Sequence, residues 1–156
     1  MRRRTSTVIL AVLTLLTYQA GLAADGLCRP LRRFVTSVKP SETRALEFHT
    51  VWGSGFKDSD DGQTLAAKRC DHNGYEPAKS VCAYFMEHGA TEFSGNNAKD
   101  AVMCLSKKTY FSDLVLDSIE VSLTYGTHDR GSNVEIRYAP DDQLGGMVLS
   151  ITARGY

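Results

Sequence analysis

Residues 118–125 read SIEVSLTY, and apolar side chains at every second position alternate here with polar ones. The same period of two recurs around residues 134–138 and 147–153. Turn-rich links at residues 126–131 and 140–146 separate the three segments. A period of two places apolar side chains on one face of a strand, so the pattern predicts a three-stranded antiparallel meander. Its apolar face must be covered, which predicts an α+β fold with helices first and the sheet last.

Two helices are indicated by clear start or stop signals before the meander. Pro77 fits the first turn of a helix that Gly89 would end, and apolar residues recur between them at helical spacing. A second helix is predicted after Ser94, with its apolar stripe over residues 98–105.

Two further segments have weaker signals. Residues 41–52 fit either a strand or a helix, and the cap-like sequence at residues 40–42 favours the helix. Residues 53–62 are rich in Gly, Ser and Asp and predict a loop. Residues 63–70 are predicted as another short helix, which brings the helical layer to three or four short helices.

The N-terminus has the three parts of a secretory signal peptide. Three arginines at positions 2–4 precede an apolar run over residues 8–16, and small residues end the segment at positions 20–24. The apolar run is shorter than the roughly 20 residues that span a bilayer. We therefore expect a cleaved leader over residues 1–24, one domain over residues 25–156, a periplasmic or secreted location, and no stable membrane insertion.

The four cysteines all follow the expected leader, and an even number in an exported chain predicts two disulfides. A zinc site is the competing interpretation, but the spacings contain no close C-x-x-C pair. Four cysteines allow three pairings. We favour one short bridge between neighbouring predicted helices and one bridge from the N-terminal segment to the last helix: Cys70–Cys82 and Cys28–Cys104.

Charge balance argues against a nucleic-acid binder. The whole chain has 18 basic and 18 acidic residues, but loss of the leader removes three arginines and leaves 15 basic against 18 acidic. A nucleic-acid binder normally presents a net basic surface. A short basic cluster at residues 29–33 is interpreted as a solvated segment.

No motif for catalysis, metal or cofactor binding is recognised. There is no G-x-S-x-G sequence and no H-x-x-x-H pair. The acidic loop before Gly62 resembles a calcium loop, but Lys57 and Lys68 would occupy its first and twelfth positions, where acidic ligands are required. The sequence therefore predicts no catalytic residues, no metal and no cofactor.

These features favour a rigid protein-binding module over an enzyme. The main hypothesis is an exported inhibitor or immunity protein that blocks a toxin or a cell-wall hydrolase in the periplasm. Two alternatives stay open: a structural or assembly factor of an envelope or secretion complex, and a small exported hydrolase with a dispersed site around His49 or His128. Aromatic and arginine side chains commonly anchor interfaces, so the candidate contacts are Trp52, Phe56, Tyr110, Phe111, His128, Asp129 and Arg130.

A homodimer is a further open alternative, because the edge strands of the predicted meander are free to pair with those of a second copy. Arg137 and Arg154 could instead guard the edges of the sheet, because charged side chains discourage the addition of another strand.

Overall fold

The structure is a computed structural model that describes residues 20–59 and 64–156, with side chains from residue 26 onward. The expected signal peptide therefore lies largely outside the described residues. The described chain forms three helices and five strands: α1 (Ala20–Ser37), β1 (Thr43–Trp52), β2 (Ala66–Asp71), α2 (Glu76–His88), α3 (Gly95–Leu105), β3 (Ile119–Gly126), β4 (Gly131–Pro140) and β5 (Met147–Gly155). None of these helices is both long and apolar enough to cross a bilayer.

The five strands form one antiparallel sheet in the order β2-β1-β5-β4-β3. The predicted meander is confirmed as β3, β4 and β5. The sheet is nevertheless larger than the three strands expected, because β1 pairs with the free side of β5 and β2 pairs with β1. The α+β class is thus correct and the strand count was wrong.

The helices lie on one face of the sheet, and the core is between them. Alternate residues of β1, β4 and β5 are buried on this face, and they meet apolar residues from all three helices. Phe48 of β1 stacks on Phe85 of α2 with 4.9 Å between ring centroids. The largest fully buried side chains are Phe34, Phe48, Phe85, Leu27, Leu31, Leu46, Ile136, Leu149 and Ile151.

Two disulfides link the helical layer to itself and to the sheet. Cys28 in α1 is bonded to Cys104 in α3, and Cys70 in β2 is bonded to Cys82 in α2. This is the pairing favoured from the sequence. The second bridge connects a strand to a helix, however, rather than two helices.

Residues 43–52 form a strand and not the favoured helix, which is a correction. Ser41 has a φ of 66°, and the Glu42 N–H donates to the Lys39 carbonyl, so the apparent helix start is a tight turn. Leu46 and Phe48 are buried on one face of β1, while His49 and Val51 are buried on the other face. Burial on both faces weakens the alternation by which a strand is recognised.

The predicted helix over residues 63–70 is also wrong. Residues 66–71 form the edge strand β2, and residue 63 lies outside the described chain. Alanine, lysine and arginine favour helices, but backbone pairing with β1 and the Cys70–Cys82 bridge override this weak preference.

Helix α1 was not predicted. Its basic cluster was interpreted as a solvated segment, and Arg29 and Arg33 are indeed exposed. The Arg32 Nε, however, donates to the Cys104 carbonyl at 2.9 Å. The apolar residues before, among and after these arginines follow helical spacing and are buried: Leu27, Leu31, Phe34, Val35 and Val38.

Helices α2 and α3 are confirmed near their predicted bounds. Gly89 follows α2 as expected, but its φ is −60°, so it is not a left-handed cap. A Cβ at Gly89 would lie 2.7 Å from the Phe48 ring and 2.5 Å from the Phe85 carbonyl oxygen. Glycine is required here by this close packing of α2 on β1.

Candidate functional site

A groove of about 900 Å³ opens at one end of the sheet. Strands β1 and β4 both run antiparallel to β5, so their C-terminal ends and the start of β5 meet there. Trp52, Pro140 and Met147 come from these three strand ends. The start of α3 with residues 91–94, and the segment 111–117 between α3 and β3, complete the walls.

Large apolar side chains are exposed on the groove walls. Trp52 is 46% exposed and Val115 is 76% exposed. Of the seven large hydrophobic side chains that are exposed among the described residues, four line this one groove: Trp52, Phe93, Leu114 and Val115. A concentration of exposed apolar side chains in a concave surface marks a site of interaction more often than scattered single residues do.

The bottom of the groove contains a buried polar pair. The hydroxyls of Ser94 and Tyr138 are 2.7 Å apart, and both residues are almost fully buried. Burial and the nearby Asp117 carboxylate raise the pKa of Tyr138, against the opposing effect of the Ser94 hydrogen bond. Tyr138 is therefore a neutral hydrogen-bonded phenol, and the pair holds the start of α3 against β4.

The groove is acidic. Among the described residues, four carboxylates line it, from Glu92, Asp100, Asp113 and Asp117, against the single ammonium of Lys99. The Lys99 Nζ donates to the Leu114 carbonyl, which fastens segment 111–117 to α3. The groove therefore combines exposed apolar side chains with an excess of negative charge.

Asp100 is a groove carboxylate with a raised pKa. Its side chain reaches solvent, but the surrounding walls partly desolvate the carboxylate and raise its pKa, and Lys99 only partly opposes this effect. A carboxylate with a raised pKa gains more from a cationic neighbour than a fully hydrated one does. Asp100 is thus suited to receive a basic group.

The structure separates the residues proposed as partner contacts. Trp52 and the half-buried Phe111 line the groove, and Tyr110 beside it is 84% exposed without lining the groove. The tip at residues 128–130 is fully exposed but lies between β3 and β4, at the opposite end of the strands from the groove. The two sets of proposed contact residues therefore lie on two distant surfaces of the molecule.

Phe56 lies in neither surface. It is only 7% exposed, and the Arg69 guanidinium stacks on its ring at 4.7 Å. Arg69 also forms an ion pair with Asp58 at 2.7 Å. The ring of Phe56 serves packing in this loop and is not available as a surface contact.

Several groove residues were missed in the sequence. The stretch at residues 113–117 reads DLVLD, an apolar run between two acidic residues that belongs to no predicted helix or strand. Such a run in a connecting segment is a signal of function, since loops are mostly polar, and the structure exposes two of its three apolar residues, Leu114 and Val115. Phe93 and Asp100 carried no comparable signal, because their roles depend on the position of α3 beside the sheet.

A histidine–aspartate pair lies on the other face of the sheet. His49 Nδ1 is 2.7 Å from Asp141 Oδ2, and His49 Nε2 is 3.7 Å from Glu47 Oε2. Such a pair would orient a general base if a nucleophile were bonded to it. No serine, threonine or cysteine side chain of the described residues hydrogen-bonds to His49, and His49 does not line the groove.

A search for metal-binding geometry gives no candidate. Within residues 20–59 and 64–156, no three His, Cys, Asp or Glu side chains converge closely enough to hold a metal ion. The chain matches no protein-family model, and neither the curated proteins nor the solved structures yield a match.

Proposed function

We propose that this protein is an exported, non-enzymatic binding module whose groove takes a basic, partly apolar segment of another protein. The observation that carries the proposal is the clustering of Trp52, Phe93, Leu114 and Val115 around one acidic groove. Aromatic anchors supply much of the free energy of protein association. Four carboxylates against one lysine select a partner of positive charge.

The two disulfides support this function. One end of each bridge lies in an element that forms or adjoins the groove, because Cys104 is in α3 and Cys70 is in β2, the strand beside β1. A rigid groove loses little conformational entropy on binding, which favours affinity. Disulfides are also typical of proteins that work in an oxidising compartment, in line with an exported module.

Within this class we propose an inhibitor or immunity protein. Binding in the groove would cover the basic segment of the partner and block its function. A toxin or cell-wall hydrolase with a basic substrate-binding surface has the charge that this groove requires. Hydrolysis is less well supported, because the His49–Asp141 pair lies away from the groove and has no bonded nucleophile among the described residues.

The test is affinity capture with matched variants. The immobilised protein would be incubated with periplasmic extract, and the captured proteins identified by mass spectrometry and measured for affinity. We expect Trp52→Ala and Val115→Ser to weaken capture of the partner about tenfold or more, as loss of an interface anchor does. Leu65→Ser is the control, since Leu65 is also exposed but lies outside the groove.

The result separates the hypotheses. Capture of an enzyme that loses activity when one equivalent of this protein is added supports the inhibitor hypothesis. Capture of a multi-subunit envelope complex would instead support an assembly factor. Capture that is equal in wild type, Trp52→Ala and Leu65→Ser would overturn the groove as the binding site. A reproducible hydrolytic activity that is lost in a folded His49→Ala variant would overturn the non-enzymatic function.

A further inference from the structure

The two edges of the sheet differ in how well they are protected. β2 has six residues, three of which are charged, and the Cys70–Cys82 bridge fastens it to α2. β3 has eight residues with Glu120 as its single charge, and within the described chain it pairs only with β4. A long edge strand with few charges is open to pairing with another strand.

The charged residues considered as edge guards do not protect β3. Arg137 lies in β4 and Arg154 lies in β5, and both strands are paired on both sides. On its core-facing side β3 presents a row of half-buried apolar residues that a neighbouring strand would extend and cover: Ile119, Val121, Leu123 and Tyr125.

We propose that two copies of this protein form a twofold dimer by antiparallel pairing of β3 with β3, centred on Ser122. The inference is independent of the proposed function, because it concerns the protein alone. In this register no like charges face each other, and apolar residues oppose apolar ones as stable cross-strand pairs do. The opposing pairs are Ile119 with Tyr125, Glu120 with Thr124, and Val121 with Leu123.

The twofold axis of the dimer also brings the hairpin tip of one copy close to the groove of the other. Within one copy, the tip at residues 128–130 lies at the far end of the strands from the groove. Antiparallel pairing places the end of β3 of one copy beside the start of β3 of the other, which directly follows the groove segment 111–117. Continuing this register places Thr127 of one copy opposite Asp117 of the other. Arg130 faces Thr127 across the turn, one strand further away, and its long side chain can extend toward that carboxylate, so each groove is bordered by the hairpin tip of the second copy.

The first test is the oligomeric state measured by light scattering over a range of concentrations. We expect a monomer–dimer equilibrium for wild type. Ser122→Lys would raise the dissociation constant roughly tenfold or more, because it sets two ammonium groups opposite each other at the twofold. Ser150→Lys is the matched control, since Ser150 lies on the same polar face but in the interior strand β5.

The outcomes are decisive for strand pairing. A dimer in wild type and Ser150→Lys, but not in Ser122→Lys, supports it. A wild-type protein that stays monomeric at the highest concentration attainable overturns it, and so does a dimer that Ser122→Lys leaves intact.

The second test concerns the tip and the groove. We expect Arg130→Glu to raise the dimer dissociation constant roughly threefold or more through repulsion with Asp117 of the second copy, and Asp117→Arg to restore it in the double variant. A dissociation constant unchanged by Arg130→Glu overturns this placement of the tip. Circular dichroism of each variant would verify that the fold is retained.

Discussion

His49 on β1 and Asp141 in the turn between β4 and β5 are joined by a hydrogen bond of 2.7 Å between Nδ1 and Oδ2. The other oxygen of Asp141 accepts the backbone N–H groups of Gln143 and Leu144 at 3.0 Å each. One carboxylate thus shapes the turn and anchors it to the central strands. Since this turn ends at Gly146 and Met147, which line the groove, the pair supports one wall of the candidate site from behind.

The Asp141 carboxylate makes stability depend on pH. Burial opposes its ionisation, but the hydrogen bonds from Leu144, His49 and Gln143 outweigh burial and lower its pKa below the ordinary 3.8. A folded-state pKa below the unfolded one stabilises the protein above pH 3.8, and this contribution is lost as the pH falls through the lowered pKa.

We therefore expect Asp141→Asn to reduce the free energy of unfolding at pH 7 by about 1–2 kcal/mol, and to flatten the loss of stability below pH 4. Urea denaturation at a series of pH values measures both effects. Asp142→Asn is the control, because this neighbouring carboxylate is exposed. Equal acid sensitivity in the two variants would contradict the role of Asp141.

Substitution of Asp100 should increase stability and weaken partner binding. Its pKa is raised above 3.8 in the folded protein by partial desolvation, so its contribution favours folding below pH 3.8 and is lost as the pH rises through the raised pKa. We expect Asp100→Asn to increase the free energy of unfolding at pH 7 and to weaken partner binding about tenfold. Thermal unfolding and titration calorimetry measure the two quantities. A variant that is both less stable and fully able to bind would refute this assignment.

The two disulfides should contribute unequally. Cys28 and Cys104 are separated by 76 positions, and Cys70 and Cys82 by 12. Loop-closure entropy predicts a loss of about 4–5 kcal/mol without the long bridge and about 3 kcal/mol without the short one. Paired Cys→Ser variants, each keeping the other bridge, would be compared by urea denaturation under oxidising conditions. The reverse order of stability would show that strain or denatured-state structure outweighs loop length.

The buried Ser94–Tyr138 hydrogen bond should be measurable by a double-mutant cycle. Tyr138→Phe keeps the ring but leaves the buried Ser94 hydroxyl without this partner, so we expect a loss of about 1–2 kcal/mol in the free energy of unfolding. Adding Ser94→Ala to this variant should cost less than Ser94→Ala alone, because the hydrogen bond is already absent. Additive effects in chemical denaturation would mean that the two hydroxyls do not interact.

The sequence by itself determined the elements whose signals are local. The period of two over β3, β4 and β5 and the helix signals at Pro77 and Ser94 lie within single segments, so they were recognised without knowledge of the fold. The disulfide pairing was favoured rather than determined, because four cysteines allow three pairings and the preference for Cys70–Cys82 relied on a helix over residues 63–70 where the structure has a strand.

Only the tertiary structure decided the parts that depend on distant neighbours. Residues 43–52 became a strand because β5 and β2 pair with them from positions far along the chain, and this pairing overrides the local helix signal. The groove has the same origin: Phe93, Tyr138 and Asp100 are chemically ordinary in the sequence and form a site because three strand ends and one helix start meet there. Local periodicity carries no information about which elements pair in space, and the binding surface is built from that long-range pairing.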